Sequence, residues 1–81
     1  MPISLRAAAL RTDLERVLDG PVHLLAVDGR TRIHAEVPPD SDIKRWTAIL
    51  AILLSADRWG SQKTNGAPAE IWAEVKDEET L

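Results

Sequence analysis

The side chains that do most enzyme chemistry are scarce in this chain. It has two histidines, His23 and His34, and neither cysteine nor tyrosine. If the segments around the histidines pair as a hairpin, the imidazoles stand side by side, as two ligands of one metal ion would. A zinc site needs further donors, and only Glu36 lies near, one position pair along the strand. Imidazoles titrate near neutrality, so a pH-sensitive contact is the other chemistry open to them. Two half-exposed strand histidines are the plainer account, and no metal or cofactor is assigned.

The remaining candidates yield to similar arguments. Gly60 to Gly66 reads GSQKTNG, and its Lys63-Thr64 pair is faintly like a phosphate-binding loop. Such a loop carries glycine directly before the lysine, follows a strand and opens a helix. Here the segment is expected to follow a helix and open a strand. Ser55 lies near Asp57, but no histidine is placed by spacing to activate it. Asp40 and Asp42 are explained as helix caps. Asp57, Arg58 and Trp59 read as a clasp at a helix end, with Arg58 against Asp57 or an indole. No catalytic residue is assigned, and the chain is read as non-enzymatic.

The elements that position these residues follow from periodicity and punctuation. Ser4 to Asp19 reads as a helix, because Ala7, Leu10, Leu14, Val17 and Leu18 recur at spacings of three and four. Ser4 is its expected N-cap, and Gly20-Pro21 its stop. Val22 to Val27 and Arg30 to Val37 flank Asp28-Gly29, a hairpin signal of the type I′ kind. A two-residue loop sets Val27 against Arg30, Leu25 against Arg32 and His23 against His34. Pro38-Pro39 ends the second strand. A second helix is expected from about Asp42 to Arg58, capped by Asp40, Ser41 or Asp42. Gly60 to Ala69 reads as a polar loop, and Glu70 to Lys76 alternates as a third strand.

The expected fold is α+β in the order αββαβ. Strand three lies parallel to strand two after a crossover, giving a three-stranded mixed sheet with both helices on one face. Residues 1–76 form one domain, and 77–81 an acidic, disordered tail.

The second helix departs from the usual pattern. Trp46 to Leu54 reads WTAILAILL, with Thr47 the single residue that is not apolar. A helix packed on one side shows a stripe about 100° wide, and this one leaves no side for water. A chain of 81 residues buries only about 60% of its unfolded surface, and disulfides are excluded. Oligomerisation is the remaining support. The run falls short of the roughly 20 apolar residues that cross a bilayer. Arg6, Arg11 and Asp13 interrupt any secretion signal, so a soluble, cytoplasmic protein is expected.

These observations converge on a small interaction module, acting as a homodimeric adaptor or regulator with a possible second protein partner. Its expected interface residues are Trp46, Ile49, Ile52, Leu53 and Trp59 on or beside the second helix, with Leu25, Val27 and Trp72 on the sheet. The helix is the first choice for self-association and the sheet face for other partners, with Arg30, Arg32 and Lys63 as further contacts. The alternative is a nucleic-acid-binding regulator whose dimer gathers Arg30, Arg32, Lys44, Arg45 and Lys63. The net charge of −3 and the absence of a basic stripe stand against it.

Overall fold

A computed structural model describes residues 5–76. Along the chain run α1 (Leu5–Leu18), β1 (His23–Val27), β2 (Arg30–Val37), α2 (Ile43–Leu53), β3 (Arg58–Gln62) and β4 (Ala69–Lys76). The class is α+β. The sheet has four strands in the order β1-β2-β4-β3, and every neighbouring pair is antiparallel. The expected N-cap Ser4 and the tail 77–81 lie outside the described residues.

Two expectations about the sheet are corrected together. Arg58–Gln62 is a strand, where a helix end and a loop were expected. The strand from Ala69 to Lys76 then pairs antiparallel with β2 rather than parallel to it. Because β3 and β2 both oppose β4, they run in the same direction. The parallel strand reached through α2 is therefore β3, two places away, and β4 returns between them by a hairpin. The sequence of β3, RWGSQ, has a glycine at its centre and no β-branched residue, so local propensity gives little sign of a strand. Pairing with β4 imposes it.

The first hairpin takes the expected register, with Val27 opposite Arg30, Leu25 opposite Arg32 and His23 opposite His34. Its turn differs from the type I′ expectation. Only Gly29 has positive φ, at 67°, and Asp28 does not. That sign pattern belongs to a type II turn, which needs glycine at its third position alone.

Both helix ends have identifiable causes. In α1 the stop is Asp19 rather than Gly20: Asp19 adopts φ 53° and donates its N–H to the Glu15 carbonyl at 2.9 Å. This is the left-handed cap that aspartate tolerates better than most residues. Asp42 caps α2, accepting from the Arg45 N–H at 2.9 Å. The helix ends at Leu53, short of the expected Arg58. Ser55 and Ala56 donate to the Ile52 and Leu53 carbonyls in a tightened last turn, and Asp57 N–H turns away to the Glu74 carbonyl at 3.0 Å.

Both helices cover one face of the sheet, as expected. Ala7, Leu10, Leu14 and Leu18 of α1 meet Ile49 and Leu53 of α2 over Ile33, Ala35, Val37, Ile71, Ala73 and Val75. The sheet residues alternate along β2 and β4, so one face fills this core and the other is left uncovered. No helix among the described residues is long and apolar enough to cross a membrane.

Candidate functional site

The uncovered sheet face is built in cross-strand rows. One row runs Leu25, Arg32, Glu74 and Arg58 from β1 to β3; the next runs His23, His34, Trp72 and Gly60. Glu74 is the centre of the first row. Its carboxylate accepts from Arg30 at 3.2 Å and from Arg32 at 3.5 Å, and it is buried between them. Arg32 also lies over Trp72, with Cζ 4.7 Å from the ring centroid. Such a stack holds the indole in place while leaving the guanidinium edge free to donate. The two imidazoles stack at 5.1 Å with planes 27° apart.

Beside this ordered patch the β1 end of the face is apolar and open. Leu25 is 55% exposed and Val27 42%. On the other side of the molecule, α2 turns Ile43, Thr47, Leu50 and Leu54 outward, at spacings of four, three and four. Ile43 is 78% exposed, Leu50 42% and Leu54 68%. Thr47, the lone polar residue of the run, marks this outward side.

The expected interface residues therefore separate. Ile49 and Leu53 are fully buried in the chain's own core and offer nothing to a partner. Trp46 and Ile52 are half-buried against the same core. Trp59 sits on the helix side of β3, opposite Ala73, and so on the reverse face from Trp72. Leu25, Val27 and Trp72 do share the outer face. Ile43 and Leu54 were not among the expected contacts, although the position of Thr47 was a sequence signal for their side of the helix.

The basic residues are dispersed. Arg30 and Arg32 pair with Glu74, while Lys63 stands in the exposed loop that links β3 and β4. Lys44 and Arg45 open α2, on the helix side, and Arg45 donates to the Ser41 hydroxyl at 3.3 Å.

A structural clasp closes the helix layer onto the sheet. Asp57 accepts from Arg6 at 3.1 Å and from the Lys76 main-chain N–H at 2.7 Å. Arg6 also donates to the Ser55 carbonyl at 3.1 Å. The expected partner Arg58 instead stands opposite Glu74. The Lys76 N–H, then the Arg6 guanidinium, hold the Asp57 carboxyl below its ordinary range.

The Ser55 hydroxyl donates to the Ile52 carbonyl at 2.7 Å as part of the helix end. Gly60 to Gln62 lies in β3, where a helix was expected to precede the loop, and Lys63-Thr64 leads into β4, whereas a phosphate-binding loop opens a helix. A cleft of about 320 Å³ at the α1–β1 connection has His23 and Glu36 on its wall. Among the described residues no group of three or more histidine, cysteine or acidic side chains could hold a metal ion. No family model, curated protein or solved structure matches this chain.

Proposed function

We propose that this chain is a non-enzymatic protein-interaction module, a cytoplasmic adaptor or regulator that works as a homodimer and offers a second surface to another protein. One observation carries the reading: of the large apolar side chains exposed among the described residues, all but Leu5 and Trp59 gather on two separate surfaces. Leu25 and Val27 stand on the outer sheet face, and Ile43, Leu50 and Leu54 on the far side of α2. Scattered single hydrophobes need no explanation, but grouped ones mark interaction sites. The absence of cysteine fits a reducing compartment.

The nucleic-acid alternative has less behind it. Two of its five basic residues are engaged by Glu74, and the other three stand elsewhere.

Thermal melting across protein concentration tests the homodimer. Association of the folded form raises the melting temperature as concentration rises. The wild type is expected to melt higher at higher concentration. A melting temperature unchanged over a hundredfold range would oppose the reading.

A further inference from the structure

We infer that the homodimer forms by antiparallel pairing of β1 with β1 of a second copy, centred on Leu25, to make one continuous eight-stranded sheet. This rests on the homodimer reading above and names its surface.

The first argument is the state of the edge. β1 is an outermost strand of the sheet, and among the described residues no further strand pairs with the main-chain groups on its open side. Soluble proteins blunt such edges with lysine, proline, a bulge or a covering element. β1 reads HLLAV, with no lysine, acid or proline, and its register with β2 runs unbroken for all five positions. Ala26 points to the helix side and is nevertheless exposed, so neither α1 nor α2 shields this end of the edge. The opposite edge, β3, begins at Arg58 and is followed by Lys63, the type of side chain that discourages pairing.

The second argument is which groups are free. A two-residue loop closes on a hydrogen-bonded pair, here Val27 and Arg30. Hydrogen bonding to β2 then alternates along the strand, using the main-chain groups of Val27, Leu25 and His23. Leu24 and Ala26 direct their N–H and C=O to the open side.

The third argument selects a second copy. With a two-fold axis at Leu25, Leu24 of each chain faces Ala26 of the other, and the two exchange both of their hydrogen bonds. Four bonds form, and Leu25 meets its own symmetry mate at the closer, non-hydrogen-bonded position. His23 falls opposite Val27, so no like charges oppose one another. The exposed side chains of Leu25 and Val27 are covered on the outer face. Leu24 and Ala26 extend the helix-covered layer on the inner one.

A pair of variants tests this. Leu25→Cys introduces the only thiol, because the chain has no cysteine. Its mate across the axis lies within about 5.5 Å at Cβ, close to disulfide reach. Under mild oxidation Leu25→Cys should cross-link at least about tenfold faster than Leu50→Cys on the helix face. Ala26→Pro removes an N–H that β2 does not use, which an edge strand tolerates. Folded Ala26→Pro should dimerise at least about tenfold more weakly than wild type, since two interchain donors are lost. Packing of two sheet faces would also cross-link Leu25→Cys but would leave Ala26→Pro unaffected.

Cross-linking of Leu50→Cys at an equal or higher rate overturns the inference and leaves the homodimer reading in place. So does a folded Ala26→Pro that dimerises as wild type does. If Ala26→Pro fails to fold, the ratio of cross-linking rates decides. A wild type that stays monomeric at every concentration overturns both readings.

Discussion

The indole of Trp72 lies so close over Gly60 that a β-carbon there would stand 2.8 Å from Nε1 and 2.9 Å from Cε2 and Cζ2. The two residues face each other across β4 and β3. The missing side chain is what lets the ring lie flat across the edge strand, with Arg32 on it at 4.7 Å. An aromatic ring covering a strand glycine in this way offsets the weakness of glycine in a sheet. Gly60→Ala is therefore expected to displace the ring and destabilise the fold by about 1–3 kcal/mol. Urea denaturation followed by tryptophan emission checks it. Gly20→Ala is the control, because its nearest neighbour is a carbonyl oxygen at 3.8 Å and its φ is not positive. It should change stability by less than about 1 kcal/mol.

The two sides of α2 should respond oppositely to truncation. Ile49 is fully buried among α1 and the sheet, and Ile49→Ala should cost about 2–5 kcal/mol, enough to unfold much of so small a domain. Leu54, three-fifths exposed or more, should tolerate Leu54→Ser within about 0.5 kcal/mol in the monomer. Denaturant melts of the two variants at low concentration make the comparison.

Asp57 gives the fold a dependence on acid. Its folded-state pKa is depressed below the ordinary value of 3.8, first by the Lys76 N–H and then by Arg6. A depressed carboxyl contributes stability that is fully present above the unfolded value and is lost as pH falls through the folded one. Wild type should therefore be more stable than Asp57→Asn at pH 7, with the gap closing as pH drops below about 4. Paired urea melts from pH 7 to pH 2.5 measure that gap. A gap that stays constant down to pH 2.5 would show that the charge on Asp57 is not what holds the clasp.

How far these features were legible varied with how local their causes are. The register of the first hairpin could be read because Asp28-Gly29 and two flanking runs specify it within fifteen residues. The core face of α1 could be read from Ala7, Leu10, Leu14 and Leu18 alone. β3 could not, because Arg58, Gly60, Ser61 and Gln62 carry no strand signal of their own. They become a strand only when β4 lies beside them and Trp72 covers the glycine. The same distant partners end α2, since Asp57 is drawn off the helix by Glu74, Lys76 and Arg6. On α2 itself, an apolar residue at almost every position hid which side faces the core. Periodicity assigns a face only where polar residues mark the other, and Thr47 was a single mark.

The chain is expected to work as a homodimer, with Leu25 and Val27 meeting a second copy and the outward side of α2 left for another protein. Sedimentation equilibrium of the unmodified protein over a wide concentration range addresses it most directly. The expected result is a mass that rises with concentration to twice that of one chain and goes no higher. A mass equal to one chain at every concentration would contradict it.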